Sequence, residues 1–116
     1  DQVITAMDWY PTVLDICEIN SPAAAPKLDG HSLLPIIRSA EAESGYHGVL
    51  HFQWGKNWAV RKGEWKLVGS DGNSKMTLHN LGEDKPEVTN HADAQTELVL
   101  RLKTLHDQWA TDVARN

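Results

Sequence analysis

Histidine side chains are the most versatile chemical groups in this sequence, because imidazole binds metals and carries protons near neutral pH. His47 and His51 are four residues apart, a spacing that puts two metal ligands on one face of a helix. The segment between them, Gly48-Val49-Leu50, has no glutamate to act as a base, and its alternation is typical of a strand. Four further histidines are scattered along the chain: His31, His79, His91 and His106. We therefore expect no metal site, and we interpret these four as surface or hydrogen-bonded residues.

The residue types that act as nucleophiles form no recognisable motif. The single cysteine, Cys17, ends an apolar run that begins at Val13, and we interpret it as a small buried hydrophobic residue rather than a reactive thiol. No serine stands in a Gly-x-Ser-x-Gly elbow, and the eight glycines stand singly rather than in a phosphate-binding loop. Composition, spacing and periodicity alone thus predict no active site.

Tryptophan is frequent, with five in the chain, and Trp54, Trp58 and Trp65 lie close together. We interpret these three as part of a sheet core, because Trp58 and Trp65 alternate in phase with Val60 and Leu67. The alternative is a platform on which a carbohydrate ring stacks.

The composition is that of one globular domain. The chain has 116 residues, of which 41% are hydrophobic and 23% are charged. Asp and Glu number 16 against 11 Lys and Arg, so the net charge of -5 disfavours a nucleic-acid partner or an acidic membrane surface.

Two short helices are predicted within residues 1–40. The first begins at Asp8, whose carboxylate can cap the first turn, and ends before Asn20-Ser21-Pro22. Ser32 can cap the second, which contains Leu33 to Ile37.

Four strands and a long helix are predicted in the rest of the chain. Period-two alternation indicates strands over residues 49–54, 57–62, 65–68 and 76–81, with Gly63 in a hairpin turn at positive φ. A stripe of apolar residues at helical spacing follows, from about Asp93 to Val113, and it could be capped by Asn90 or Asp93. The stripe consists of Leu98, Leu102, Leu105 and Trp109. We expect an α+β fold in which this C-terminal helix packs on one face of a four-stranded antiparallel sheet.

Five ordered motifs resemble the formylglycine-dependent sulfatases of the arylsulfatase type. Met7–Asp15 is similar to their Asp-x-x-Pro-Thr-x-Leu-Asp helix, and Leu28–Pro35 to their Asp-Gly-x-Ser-Leu-Leu-Pro segment. Val60–Leu67 resembles their Ala-Val-Arg-x-Gly-x-Trp-Lys hairpin, and Leu78–Leu81 stands where they usually carry Leu-Tyr-Asp-Leu. Asp84–Asn90 resembles their Asp-Pro-x-Glu-x-x-Asn turn, with one additional residue between the Asp and the Pro.

The same resemblance implies that the catalytic machinery lies elsewhere. The family's formylglycine forms from a Cys/Ser-x-Pro-x-Arg string, which this sequence lacks, and Cys17 is followed by Glu18-Ile19-Asn20. The family's Ca²⁺ ligands and its active-site Lys and His residues lie upstream of the first motif. We therefore expect the C-terminal part of a sulfatase, with no catalytic residue, no metal ligand and no activity of its own, whereas the intact protein would use Ca²⁺ and formylglycine.

The resemblance also implies partners and a location. Residues 1–40 would be a helical segment that joins the large α/β catalytic domain, and residues 46–116 would be the C-terminal subdomain. Without that domain, we expect self-association through the N-terminal helix or local disorder of residues 1–20. An extracytoplasmic location is implied, either periplasmic, secreted or lysosomal, with neither a nucleic acid nor a membrane as a partner.

Five residues are candidates for lining the sulfated substrate in the intact enzyme, because their polar or aromatic side chains suit an anionic sugar. They are His51, Gln53, Trp54, Lys56 and Arg61. The alternative for each of them is a place on a solvated edge of the sheet. Two other functions stay open: a free-standing module that binds carbohydrate or protein, and a metalloprotein that uses His47 and His51. The upstream coding region would decide the first alternative, and metal analysis the second.

Overall fold

The computed structural model describes four stretches of the chain: residues 3–20, 25, 28–39 and 47–114. The chain divides into two compact units, residues 1–47 and residues 48–116. No helix in the described stretches is both long enough and apolar enough to cross a membrane.

Among the described residues of the first unit, two short helices lie near their predicted positions. A 3₁₀ turn, Ala6–Asp8, leads into α1, Trp9–Ile16, and α2 spans Leu34–Arg38. The prediction that the Asp8 carboxylate caps α1 is wrong. The carboxylate instead accepts a hydrogen bond from the backbone N–H of Thr5, which precedes the 3₁₀ turn.

Helix α1 packs with its polar face inward. Asp8 and Thr12 are each only 1% exposed, whereas the apolar side of the helix faces solvent. Cys17 lies just beyond this helix and is exposed, so its interpretation as a buried residue is wrong. The cause is that buried polar residues, and not the apolar run, anchor α1 within its unit.

The second unit begins with a meander of four antiparallel strands. They are β1 Leu50–Trp54, β2 Asn57–Lys62, β3 Trp65–Ser70 and β4 Asn73–Asn80, hydrogen-bonded in the order β1-β2-β3-β4. Two-residue turns join them, and Gly55 and Gly63 occupy the first turn positions with φ of 58° and 59°. The predicted turn at Gly63 is confirmed, since a positive φ there favours a residue without Cβ.

The register decides which side of each strand faces the core. His51 lies opposite Val60, Val60 opposite Leu67, and Leu67 opposite Leu78, so these four share one face. Trp54 belongs to the other face and is 85% exposed. The core interpretation is therefore wrong for Trp54, whereas Trp58 is buried as expected.

Helix α3, Thr96–Val113, covers this sheet face and completes the predicted architecture. The buried core consists of Trp58, Val60, Leu67, Leu78, Val99 and Leu102. The helix begins at Thr96 rather than Asp93, and its N-cap residue Gln95 makes no side-chain capping bond. The predicted cap is wrong, because the side-chain oxygen of Asn90 accepts the backbone N–H of Leu78 instead.

A glycine makes room for the largest core side chain. Gly69 lies opposite Trp58 across the sheet, and a Cβ at Gly69 would collide with the Trp58 indole ring. The indole can therefore occupy this place only while position 69 lacks a side chain.

Gly69→Ala is expected to destabilise the second unit by about 1–3 kcal/mol, because the added methyl group displaces the Trp58 ring from the core. Urea unfolding followed by circular dichroism measures the change. Gly48→Ala is the matched control, since a Cβ there meets no atom within 4 Å. Equal stability of the two variants would contradict the packing argument.

Candidate functional site

The polar face of α1 holds the segment that precedes α2. Asp8, Thr12 and Asp15 are four and three residues apart, so all three project from one side of the helix. Three hydrogen bonds join the segments: His31 N–H to Asp8 Oδ1 (2.9 Å), Leu33 N–H to Thr12 Oγ1 (2.8 Å) and Ser32 Oγ–H to Asp15 Oδ2 (2.6 Å). The first two sequence motifs therefore form one structural assembly.

Close backbone contact completes this assembly. A Cβ at Gly30 would overlap the backbone of Met7 and Asp8, so the loop passes against the 3₁₀ turn only with glycine at this position. The Thr12 hydroxyl donates a hydrogen bond to the carbonyl oxygen of Asp8. This bond orients the hydroxyl so that a lone pair of Thr12 Oγ1 accepts the backbone N–H of Leu33.

The Asp8 carboxylate is the centre of the polar network. Besides the His31 N–H, it accepts the backbone N–H of Thr5 at 2.7 Å and the Thr5 hydroxyl at 3.2 Å. His47 Nε2 lies 3.0 Å from both carboxylate oxygens, and the His47 side chain is 4% exposed. Burial raises the pKa of Asp8, but the bonds from His31, His47 and Thr5 outweigh it and lower the pKa from 3.8 to about 2.

Three side chains of the first unit converge on one point. One ligand atom from each of Asp8, His31 and His47 lies within 4.8 Å of the other two. The two imidazole rings meet edge to face with centroids 5.2 Å apart, and His31 is exposed to solvent. His51 is not a member of this group.

This donor set does not fit the Ca²⁺ that the sulfatase resemblance implies. Ca²⁺ takes six to eight oxygen ligands, whereas Asp8 is the only one of the three residues with a side-chain oxygen to offer. Two imidazole nitrogens with one carboxylate suit a borderline metal such as Zn²⁺.

The tip of the β1–β2 hairpin carries three of the five residues predicted to line a substrate. Trp54, Gln53 and Lys56 are all exposed there. The Gln53 amide donates to the carbonyl oxygen of Gly55 at 3.5 Å, and the carbonyl oxygen of Lys56 accepts the Asp71 N–H at 2.8 Å. The tip is thereby tied to the next turn of the sheet, and it presents an indole face and an ammonium group to solvent.

The other two predicted residues lie away from the tip. Arg61 is half-buried, and its Nε–H donates to the carbonyl oxygen of Gly63 at 2.9 Å. His51 lies on the helix-facing side of the sheet, where its ring stacks on Trp109 with centroids 4.9 Å apart. By register, Arg61 shares a face with Trp54 and His51 does not, so the five candidates do not form a single surface.

A second aromatic stack involves a histidine whose burial was not predicted. His106 is 4% exposed, and its ring lies parallel to Trp58 at a centroid distance of 4.2 Å. Its interpretation as a surface residue is wrong, and its Nδ1 is buried without a hydrogen-bond partner. The spacing of His106 could have predicted its burial. His106 follows Val99 by seven residues and Leu102 by four, which places it on the same face of the helix as these two core residues.

Burial lowers the pKa of both stacked histidines. For His51, the positive charge on His106 lowers the pKa further. For His106, Lys103 also lowers the pKa, whereas Asp107 and Asp71 act in the opposite direction. These shifts favour the neutral form of both rings.

Side-chain oxygens that accept backbone N–H groups stabilise the turn before α3. Thr89 N–H donates to Asp84 Oδ2 at 2.6 Å, a bond that lowers the pKa of this carboxyl. Asn90 Oδ1 accepts the N–H groups of Leu78 and Ala92 at 2.9 and 3.0 Å. The motif residues thus tie β4 to the approach to α3.

Comparison with known proteins gives relatives along most of the chain. No family model matches. Arylsulfatase K of Homo sapiens is 34% identical over 115 residues, and that of Rattus norvegicus is 31% identical over 113 residues. Both alignments cover 86% of this chain and 20% of the relative, so the chain spans about a fifth of the length of the curated relatives it matches.

A solved structure shows the same fold. The protein described as BT1596, a 2-O GAG sulfatase, superposes with a TM-score of 0.69 at 23% identity. The superposition covers 90% of this chain and 24% of that protein.

Acidification below about pH 6.5 is expected to destabilise the second unit. Because burial lowers the pKa of His51 and His106, the unfolded chain takes up protons at these side chains before the folded chain does. Their contribution to stability is complete above the ordinary pKa of 6.5 and is lost as the pH falls through the lowered values. Each histidine adds a slope of up to about 1.4 kcal/mol per pH unit, which urea unfolding across this range measures.

His106→Phe keeps an aromatic ring against Trp58 and removes one titrating group, so the pH slope should become shallower. His91→Gln changes a half-buried histidine that meets Trp65 edge to face, and this control should keep the wild-type slope. An unchanged slope in His106→Phe would show that another group causes the acid sensitivity.

Proposed function

Because this chain belongs to the sulfatase family and corresponds to the C-terminal part of its members, we propose that the longer protein hydrolyses sulfate esters. The similarity to Arylsulfatase K along 86% of the chain is the observation that carries this proposal. The substrate class is sulfated carbohydrate or an aryl sulfate. Of these two substrate classes, the fold shared with a 2-O GAG sulfatase favours a sulfated carbohydrate.

The catalytic step belongs to the part of the protein outside this chain. In the longer protein, formylglycine would supply the covalent nucleophile and Ca²⁺ would supply a positive charge for the sulfate, both held by residues outside this chain. This sequence has no Cys/Ser-x-Pro-x-Arg string, and the described residues hold no oxygen-rich group of ligands around Asp8. The 116-residue chain by itself is therefore inactive toward sulfate esters.

The apolar face of α1 is the surface that binds the catalytic domain. Trp9, Val13 and Ile16 are four and three residues apart, so they form one stripe, and each is more than half exposed. About four fifths of the relatives' length lies outside this chain. That part of the protein contains the domain that would cover the apolar stripe. Residues 1–40 then join the catalytic domain, and residues 46–116 form the C-terminal subdomain.

The hairpin tip of the second unit is the part that touches substrate. Trp54 offers an exposed indole face on which a sugar ring can stack, and Lys56 offers a cation for a sulfate group. Gln53 adds a hydrogen-bond donor at the tip, and Arg61, which lies away from the tip on the same sheet face as Trp54, is the more distant candidate. His51 contributes through its stack on Trp109 rather than as a free side chain.

The exposed Trp54 also favours one alternative, a free-standing module that binds carbohydrate without catalysis. A Cys/Ser-x-Pro-x-Arg string in the coding region upstream supports the sulfatase, and an unrelated upstream domain supports the module. For the sulfatase we place the protein outside the cytoplasm, in the periplasm, in the lysosome or in a secreted form.

Release of sulfate from sulfated sugars and from an aryl sulfate by the full-length protein tests the main proposal. We expect turnover by the full-length protein and none by the 116-residue chain. Turnover by the chain alone, or inactivity of a folded full-length protein that carries formylglycine, would contradict the proposal.

Trp54→Ala in the full-length protein is expected to lower kcat/KM by up to about tenfold, because the sugar loses a stacking surface. Lys56→Gln should raise KM for the sulfated substrate, since the attraction to its charge is removed. Val88→Ala is the control, because Val88 is exposed elsewhere in the second unit. Unchanged kcat/KM in both tip variants would remove the tip from the substrate site.

Self-association of the 116-residue chain tests the docking face of α1. We expect size-exclusion chromatography with light scattering to show concentration-dependent oligomers, and Ile16→Asp to shift them to monomers. Val88→Asp places the same charge at an exposed position of the second unit and should leave the oligomers unchanged. A wild-type chain that stays monomeric with α1 folded would argue against the docking role.

A further inference from the structure

We propose that Asp8, His31 and His47 bind a divalent transition-metal ion of the Zn²⁺ class, with one carboxylate oxygen and two imidazole nitrogens as ligands. The three ligand atoms lie within 4.8 Å of one another, although the residues are 23 and 16 positions apart in sequence. This site is distinct from the Ca²⁺ centre of a sulfatase, which needs oxygen ligands.

The distance between Asp8 and His47 is close to that of neighbouring ligands on a tetrahedral ion. Bonds of 2.0–2.1 Å put neighbouring ligand atoms about 3.3 Å apart. His47 Nε2 lies 3.0 Å from each Asp8 oxygen. An ion bound between Asp8 and His47 would therefore require the two ligand atoms to move apart by only a few tenths of an ångström. The largest adjustment falls on His31, whose side chain is exposed and whose ring meets that of His47 edge to face.

The surrounding groups already orient the carboxylate. Backbone N–H groups of Thr5 and His31 donate to the two different oxygens of Asp8, which fixes its plane as second-shell bonds do in metal sites. Because Asp8 is ionised and accepts, His47 Nε2 carries the hydrogen of their contact. An ion would take the place of that hydrogen and would keep the pair together.

The arrangement leaves one position of the ion open. Asp8 and the His47 side chain are buried, whereas His31 is exposed, so a water molecule can complete the coordination from the solvent side. With three separate segments as ligands, the ion would act as a clip that holds residue 47 and the loop at His31 against α1. Its effect is on the stability of the first unit and needs no sulfatase activity.

Zn²⁺ titration of the 116-residue chain by isothermal calorimetry tests the site, with metal content measured after dialysis. We expect one Zn²⁺ per chain and a thermal transition that rises with Zn²⁺, whereas Ca²⁺ should have no effect. His31→Gln and His47→Gln should each weaken Zn²⁺ binding by more than about 100-fold, since losing an outer-shell partner already costs 10–100-fold. His91→Gln removes a histidine outside the group and should bind like the wild type.

His31→Gln is the decisive variant, because its side chain is exposed and its backbone N–H bond to Asp8 remains. Circular dichroism without metal confirms that each variant is folded. In the wild type, Co²⁺ should give the intense visible bands of a four-coordinate site, and His31→Gln should lose them. Equal Zn²⁺ affinity in the wild type and His31→Gln, or no binding at millimolar Zn²⁺, would overturn the proposal.

Discussion

The buried carboxylate of Asp8 is the interaction on which the first unit depends. A charge removed from water is costly unless hydrogen-bond donors surround it, and here Thr5, His31 and His47 supply them. Their convergence fixes the 3₁₀ turn, the loop before α2 and residue 47 in one arrangement. Apolar residues of α1 contribute little to this unit, because most of them face solvent. The helix can therefore be held by its polar side and still offer its apolar side to another domain.

The regular elements of the second unit could be predicted because their causes are local. The pattern along β2 and the apolar spacing of Leu98, Leu102 and Leu105 depend only on near neighbours in sequence, and the structure has a strand and a helix at these places. The convergence of Asp8, His31 and His47 could not be predicted this way, since their spacing has no period. The exposure of Cys17 was missed for another reason, because an apolar run predicts burial but cannot say which chain covers it.

For the candidate site residues, the sequence indicated which residue types could bind a sugar better than it indicated where their side chains lie in the sheet. Trp54 and Lys56 do lie at an exposed hairpin tip, which the Gly55 turn made foreseeable. His51 was assigned the same role, yet register places it under α3 against Trp109. A shift of one residue along a strand changes the face, so alternation alone could not decide whether His51 or Phe52 meets the helix. His106 shows the converse error, since its helical spacing placed it in the core and its polarity suggested otherwise.

The two-residue turns of the meander have a consequence for how the second unit forms. Every strand pairs with the next strand in sequence, so no strand pairing in this sheet requires a distant segment of the chain. Loop-closure entropy is small for such pairings, and proteins dominated by local contacts reach their native state quickly. We expect the sheet to assemble early and without guidance from the rest of the polypeptide, so it could act as a preformed surface on which α3 then packs.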